Sequence, residues 1–287
     1  YQSKIMKNKP LRKWTNSIIS DKETEMLKKT INKFSKINEF GNISPGIVTG
    51  NNNYFIKNEE FIKLTKAASL PIISKSVLIG NKLLFKKQDF NKLIKEEKAV
   101  FLLTLINSES LVSDSLKKYI KIGELKKYHK SYKCSTHKPW YNVPIIEKGD
   151  LLFFKRYHIL PRIVINNANV YTTDISYNIR LNEKYEKCSF AFCFYNSLTL
   201  TMCEYYGRFY GGGVCELIPS EFKSLPIPYT PIDSENIKKL DYMIKNNFNV
   251  EEITNFVDEL VLKEILSDEE IANLHIIRNR LISRRIK

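Results

Sequence analysis

Three residues of types that often bind metals lie close together near the middle of the 287-residue chain. His129, Cys134 and His137 fall within nine residues, and imidazole and thiolate are common ligands of structural zinc. A structural zinc site needs four ligands, and no second pair of Cys or His residues stands at ligand spacing. We therefore predict no metal site and interpret the three residues as ordinary surface and core positions.

Other signs of catalytic chemistry are weak. The sequence has no glycine-rich phosphate loop of the Gly-x-Gly-x-x-Gly or Walker type. Its three Glu-x-Lys pairs, a pattern found in nucleases, are about as many as chance produces from its numbers of Glu and Lys. Its four His residues show no local signature with Ser and Asp. A binding protein without catalytic residues is therefore favoured, and the first alternative is a nuclease or RNA-processing enzyme with an unrecognised site.

Basic residues dominate the charge of the chain. The 46 Lys and Arg against 31 Asp and Glu give a net charge of +15, which attracts polyanions. The excess is densest in residues 121–163, where 10 basic and 3 acidic residues are interleaved with seven aromatic residues, a mixture typical of nucleic-acid surfaces. Because Lys, Asn and Ile are all frequent, as in the product of an AT-rich genome, a basic adaptor that binds no nucleic acid is the second alternative.

A smaller basic cluster closes the sequence. Because a helix C-terminus prefers cations in any protein, we favour a structural role for this cluster over nucleic-acid binding. Its members are Arg278, Arg280, Arg284, Arg285 and Lys287.

The elements that position these residues are predicted from capping signals and apolar spacing. Ser20 and Glu23 form a capping box before a helix that runs to about Ile37, and further helices are predicted at 108–119 and 190–206. After about Pro231 the pattern is helical to the C-terminus. Between these helices lie short apolar runs typical of strands, at residues 43–48, 78–85, 100–104, 151–154, 162–165, 170–174 and 214–217.

These elements predict an α+β fold with a mixed or antiparallel sheet, packed helices and a C-terminal helical segment. We expect residues 1–40 to carry a connector helix, 41–231 to form the main domain and 232–287 to form a helical subdomain with a basic tail. The five Cys residues, an odd number, and the absence of a signal peptide or an apolar membrane span predict reduced thiols and a cytoplasmic protein without membrane contact.

Four segments carry a resemblance to a known family. They combine a Gly and Asn turn, a basic aromatic stretch, a strand and turn, and an Arg residue before a Gly triplet. They are Gly46–Phe55, Tyr132–Pro144, Pro161–Asp174 and, in the last region, Phe194–Leu198 with Gly207–Val214, Pro219–Glu221 and Leu225–Pro226.

In this order, the segments resemble the C-terminal target-recognition region of adenine-specific N6 DNA methyltransferases of restriction-modification systems, in particular the TaqI-like specificity domain. The resemblance implies a module that recognises double-stranded DNA and presents the target adenine to an upstream catalytic domain of the same polypeptide. That domain would bind S-adenosylmethionine and hold the adenine with an Asn/Asp-Pro-Pro-Tyr/Phe tetrapeptide. No two prolines of this chain are adjacent, so we expect no catalytic residue and no cofactor here.

The predicted DNA contacts come from the turn, the basic stretch, the strand that follows it and the Gly triplet. Core packing is the preferred role of Trp140, and structural roles are preferred for Asp174, Asn196, Ser197 and Glu221. The predicted contact residues are Thr49, Gly50, Asn51, Asn52, Asn53, Lys133, His137, Lys138, Trp140, Tyr141, Lys155, Arg156, His158, Arg162, Arg208, Tyr210, Gly211, Gly212 and Gly213.

Overall fold

The computed structural model describes residues 18–105 and 113–286, and helices make up much of this part of the chain. Most of them begin at a capping residue whose side chain accepts a backbone amide hydrogen bond, as Ser20 and Asn196 do. The helices are α1 (Asp21–Ile31), α2 (Ile37–Phe40), α3 (Asn52–Phe55), α4 (Glu59–Thr65), α5 (Lys87–Lys95), α6 (Asp114–Leu125), α7 (Tyr132–Ser135), α8 (Lys187–Phe194), α9 (Ser197–Tyr206), α10 (Pro219–Lys223), α11 (Ser234–Lys245), α12 (Val250–Val261) and α13 (Asp268–Arg285).

The strands of the same residues are short and form three sheets. They are β1 (Gly41–Pro45), β2 (Ile56–Lys57), β3 (Ser69–Ile73), β4 (Leu84–Phe85), β5 (Phe101–Leu103), β6 (Leu151–Phe154), β7 (Arg156–Tyr157), β8 (Ile163–Asn166), β9 (Tyr171–Thr172), β10 (Ser176–Leu181), β11 (Arg208–Tyr210) and β12 (Val214–Glu216).

The central sheet has the strand order β1-β10-β6-β8-β4, and only its β8–β4 pair is parallel. Its middle strand, β6, is apolar throughout because both of its faces are covered. Leu151 and Phe153 of β6 face the largest hydrophobic core, whereas Leu152 and Phe154 face a smaller core built with α5. The period of two residues along a strand explains this alternation.

The C-terminal helices belong to the largest core. Helices α8 and α9 lie on the central sheet, and α13 packs along α9. Leu240 of α11, Val257 of α12 and Leu274 of α13 are buried in the same cluster as Phe153 and Ile163 of the sheet. The segment after Pro231 is therefore joined to the sheet by a continuous apolar core.

Two smaller sheets flank this body. One has the order β2-β5-β3-β9 and supports the aromatic residues that follow α6. The other, which we call the small sheet, has the order β11-β12-β7 and continues directly from the central sheet, because only Lys155 separates β7 from β6. None of the helices in residues 18–105 and 113–286 is long and apolar enough to cross a membrane.

The predicted α+β class is confirmed, but several boundaries were wrong. The first helix has its capping box but ends at Ile31, because the backbone at 35–37 instead hydrogen-bonds to residues 225–227. The helix predicted at 190–206 is two helices, since Asn196 leaves the helical conformation and caps α9. The strand predicted at 78–85 is reduced to β4 by a turn at Gly80, where φ is +70°. The first residues of the helix predicted at 108–119 lie outside the described residues, as do residues 1–17 of the predicted connector.

Candidate nucleic-acid interface

The Gly and Asn loop at residues 49–53 is an ordered turn. The Asn51 side chain caps α3 by accepting a hydrogen bond from the Tyr54 amide at 3.1 Å. The buried Thr49 hydroxyl donates to the Asn52 side chain at 2.6 Å and accepts from the Asn51 amide at 3.1 Å. Thr49, Asn51 and Asn52 therefore hold the loop in shape.

Gly50 brings this loop against the basic stretch. Its φ of +78° is in the left-handed region, and a Cβ there would lie 2.9 Å from the Cys134 Sγ atom and 3.1 Å from the Lys133 Cβ atom. The loop and the basic stretch, widely separated in sequence, thus form one surface. We call this surface the lysine edge: loop 49–53 with the exposed side chains of Lys121, Lys126, Lys127, Lys130, Lys133 and Lys138.

The lysine edge exposes lysine side chains and one aromatic ring to solvent. Within residues 18–105 and 113–286, neither Lys133 nor Lys138 has a carboxylate in ion-pair range, and Lys133 lies 5.6 Å from the centre of the Tyr132 ring. Tyr132 is 78% exposed. His137 is half-buried, and burial together with the charge of Lys133 lowers its pKa, which favours the neutral imidazole near neutral pH. This surface can therefore bind an anion without first breaking an ion pair.

The aromatic residues behind the lysine edge pack on one another. Tyr54 and Tyr119 stack with ring centres 4.6 Å apart, and Trp140 lies 5.4 Å from Tyr54. The Trp140 indole N–H donates to Glu124 at 3.3 Å, and Tyr141 meets the Trp140 ring edge-on. These contacts agree with the packing role preferred for Trp140.

The small sheet gathers a second group of predicted residues. Cross-strand register places Glu216 opposite both Arg208 and Arg156, so these three side chains share one face. The Arg156 guanidinium donates to Glu216 at 2.8 Å and lies 5.9 Å from the centre of the Tyr210 ring. Arg208 donates to Glu221 at 3.2 Å. Both arginines remain more than half exposed, but each is bound to a carboxylate.

Lys155 connects the two surfaces. Its ammonium group is bonded to Asp174, and only 13% of its side chain is exposed. The Asp174 amide donates to the Ile47 carbonyl at 3.0 Å, two residues before the loop begins at Thr49. Asp174 therefore has the structural role predicted for it, and the charge of Lys155 is compensated.

Arg162 and His158 line a cleft that Arg156 of the small sheet also lines. The Arg162 guanidinium donates to the Gly80 carbonyl at 2.7 Å and to the Ser76 carbonyl at 3.3 Å, and burial lowers its pKa. His158 is exposed in the same cleft, of about 590 Å³, which Phe248 also lines. These contacts with backbone carbonyls tie the start of β8 to the turn that precedes β4.

The Gly triplet 211–213 forms an exposed turn between β11 and β12. Gly212 and Gly213 have φ values of +76° and +73°, and a Cβ at Gly211 or Gly212 would meet no atom within 4 Å. A planar or bulky group can therefore approach the backbone of this turn closely.

The three potential zinc ligands do not form a site. Within residues 18–105 and 113–286, no group of three or more His, Cys, Asp or Glu side chains is placed to hold a metal ion. The Cys134 thiol is buried and points toward the Thr49 carbonyl, at 3.9 Å, and the His129 ring lies 6.1 Å from that of Trp140. Cys134 and His129 instead pack behind the lysine edge.

Comparison with known proteins identifies the family. Residues 11–262 match the family described as Type II methyltransferase M.Eco57I, C-terminal domain. The chain belongs to this family. It is 26% identical over 241 residues to the Type II methyltransferase M.AccI of Acinetobacter calcoaceticus, and the match covers 77% of this chain and 43% of that protein. This member of the M.Eco57I C-terminal domain family thus spans less than half the length of that curated relative.

One solved structure agrees with this chain at the level of the fold. The type IIG restriction endonuclease BpuSI superposes with a TM-score of 0.53 at 11% identity, covering 95% of this chain and 33% of that one. The Type IIL restriction-modification enzyme MmeI, solved in complex with DNA, has a TM-score of 0.49 at 12% identity, and the match covers 87% of this chain and 36% of that one. The predicted resemblance to the C-terminal region of restriction-modification methyltransferases is confirmed by the family match.

The carboxylate partners of the small sheet were missed by the sequence analysis, although Glu221 was assigned a structural role. Glu216 lies 60 residues from Arg156 in sequence, so no local spacing indicates the pair. The only signal was the alternation in β12, where Cys215 is buried and Glu216 points to the other face.

Proposed function

We propose that this chain is the double-stranded DNA recognition module of an adenine-specific N6 DNA methyltransferase in a restriction-modification system. In this proposal an upstream catalytic domain of the same polypeptide binds S-adenosylmethionine and transfers the methyl group in the cytoplasm, and residues 41–231 contribute most DNA contacts. Membership in the M.Eco57I C-terminal domain family supports the proposal, as does the similarity to M.AccI.

The DNA-binding part of the proposed function rests on the lysine edge. Free ammonium groups attract phosphates because binding releases counterions from the duplex, and no internal ion pair has to be broken. Lys133 and Lys138 meet this condition among the described residues. The loop that meets Lys133 at Gly50 also exposes the Asn52 and Asn53 side chains, which can donate hydrogen bonds. We assign phosphate contacts to this surface.

The small sheet is suited to a different task. Arg156 and Arg208 are held by Glu216 and Glu221, so their guanidinium groups are oriented before DNA arrives. An oriented guanidinium can donate two parallel hydrogen bonds to guanine O6 and N7, and a carboxylate can accept one from cytosine N4. We therefore assign base reading to this face and affinity to the lysine edge.

Selection from a randomised duplex pool tests the proposal directly. The chain should enrich particular duplexes, and R208A should keep total DNA binding but lose the preference for one base pair. Phosphate contacts are the same for all DNA sequences. If R208A bound the enriched and the scrambled duplexes with equally reduced affinity, Arg208 would therefore not read a base. Failure of the unaltered chain to retain any duplex at low salt would contradict the proposed function.

Two alternatives are separated by simple assays. A nuclease or RNA-processing enzyme would cleave DNA or RNA with Mg²⁺, whereas this chain alone should neither cleave nor methylate. A basic adaptor would be retained poorly on heparin at moderate salt, whereas a phosphate-binding surface should be retained well.

A further inference from the structure

Arg285, near the end of α13, forms a buried ion pair behind the small sheet. Its guanidinium donates to both oxygens of the Glu204 carboxylate on α9, from Nε at 2.9 Å and from Nη2 at 2.7 Å. The Arg285 side chain is 2% exposed and that of Glu204 is fully buried. Burial raises the pKa of Glu204, an effect that the Arg285 hydrogen bonds oppose.

The same guanidinium also contacts the Gly turn. Its Nη1 atom donates to the Gly213 carbonyl. Its Cζ atom lies 5.6 Å from the centre of the Tyr157 ring of β7 and 5.8 Å from the centre of the Phe209 ring of β11. The backbone of α13 is close as well, because a Cβ at Gly213 would lie 3.3 Å from the Arg285 carbonyl oxygen. One side chain thus joins α9 to two strands of the small sheet and to its turn.

A buried ion pair contributes little to net stability, because the desolvation of two charges offsets their attraction. Apolar side chains of similar volume could fill the space between α9 and the small sheet. They could not donate a hydrogen bond to Gly213, and three consecutive Gly residues have little conformational preference of their own. What Arg285 adds beyond packing is therefore a hydrogen bond to the turn at Gly213.

We propose that Arg285, held by Glu204, is a positioning residue that fixes the Gly turn 211–213 and with it Arg208 and Tyr210 for base reading. The proposal rests on the proposed function, because base reading is assigned there to the face of the small sheet that carries Arg208. Arg285 itself is buried and contacts no DNA. Its effect passes through Gly213 and Phe209.

The test uses the full chain with E204M and R285M combined, which removes both charges and leaves neither unpaired. Amide hydrogen exchange at Gly212 and Gly213 should become at least several-fold faster, while exchange in α9 and in the lysine edge should not change. On duplexes enriched by the unaltered chain, discrimination against scrambled duplexes should fall about tenfold, the usual worth of one lost base contact. The salt dependence should stay the same, because the free lysines are unaltered.

The control is E23M with R280M, which removes another ion pair of α13, between Arg280 and Glu23 at 2.9 Å, away from the Gly turn. This variant should keep full discrimination. If the E204M and R285M chain does not fold, R285K retains the charge pair without the planar fork and should show the same faster exchange and weaker discrimination.

The outcomes separate this inference from the proposed function. Unchanged Gly exchange, or full discrimination in a folded E204M and R285M chain, would overturn the positioning role while leaving DNA recognition intact. Absence of any duplex enrichment by the unaltered chain would contradict the proposed function, and the Gly exchange rates would still decide whether Arg285 holds the turn.

Discussion

At the scale of single residues, a cationic side chain can bind a polyanion readily only if it is not already paired with a carboxylate in the free protein. Lys155 was predicted to contact DNA, yet it is bonded to Asp174 and largely buried. Lys133 is exposed and lies beside Tyr132 instead. Releasing Lys155 would leave Asp174 without its partner, so we expect phosphate affinity to come from the free lysines.

This difference predicts unequal salt effects. K133A with K138A should reduce the slope of log K against log salt concentration by about 1 per lysine, because each phosphate contact contributes about 0.9. K155A should change the slope by much less. Fluorescence anisotropy with one duplex over a series of salt concentrations measures both, and an equal loss of slope in the two variants would disprove the distinction.

A second residue-scale prediction concerns Gly50. G50A should lower the free energy of unfolding by about 1–2 kcal/mol, because the left-handed backbone costs about that much for a residue with a Cβ. The Cβ would also press on the Cys134 thiol at 2.9 Å. Chemical denaturation gives the value.

Gly211 provides the matched control for this substitution. It has open space around its Cβ position, so G211A should leave stability unchanged. If G50A were as stable as G211A, the close contact between the loop and the basic stretch would not exist in solution.

At the scale of elements, α1 and α13 are joined through Glu23. Its carboxylate accepts from the Ser20 amide at 2.7 Å, completing the capping box, and from Arg280 at 2.9 Å. Partial burial raises the pKa of Glu23, but the hydrogen bonds from Ser20 and Arg280 outweigh it and leave the pKa below its ordinary value. Glu23 therefore stabilises the folded chain only when ionised.

The corresponding prediction is a pH-dependent loss of stability in E23Q. At neutral pH the variant should be less stable by about 1 kcal/mol, the usual contribution of a cap and a partly exposed ion pair. Because the folded pKa is lowered, the difference should be complete above the ordinary glutamate pKa of about 4.3 and should vanish as the pH falls through the folded value. Urea denaturation over this range measures it, and a difference that persists in acid would contradict the assignment.

Elements with local signals were the ones that the sequence predicted well. The capping box at Ser20 and the apolar run of β6 need only neighbouring residues, and each is present. Strand β10 was missed because its Ser176 and Asn178 side chains resemble a loop. They are buried, and a hydrogen-bond network with Thr172 satisfies both. Such compensation depends on tertiary contacts, which no local pattern indicates.

In the candidate site, too, the contacts that depend on the tertiary fold were not indicated by the local sequence. The sequence grouped the loop at 49–53 with the basic stretch by resemblance alone, and the contact of Gly50 with Lys133 and Cys134 now gives that grouping a geometric basis. The pairing of Arg156 with Glu216 depends on the register of the small sheet. Charge counts along the chain cannot reveal that a cation is already compensated.

At the scale of the whole molecule, the helices after Pro231 share one core with the central sheet. Each fully buried Leu or Ile contributes about 1.5–3 kcal/mol, and a domain is stable by only about 5–15 kcal/mol. Removing the helices would uncover the apolar surface of α8 and α9. The buried residues lost with them include Leu240, Ile244, Ile253, Val257, Leu274 and Ile277.

Truncation after Pro231 should therefore abolish cooperative folding. The shortened chain should show no sharp thermal transition by circular dichroism and should be degraded quickly by a protease. The reason is that the apolar surface uncovered by the truncation is unfavourable in water. Adding residues 232–287 as a separate polypeptide should restore protection, since the lost contacts are side-chain packing that needs no covalent link. A truncated chain that melts sharply on its own would instead make the predicted boundary at residue 231 a true domain boundary, and the shared core would then be an interface between two independently stable units.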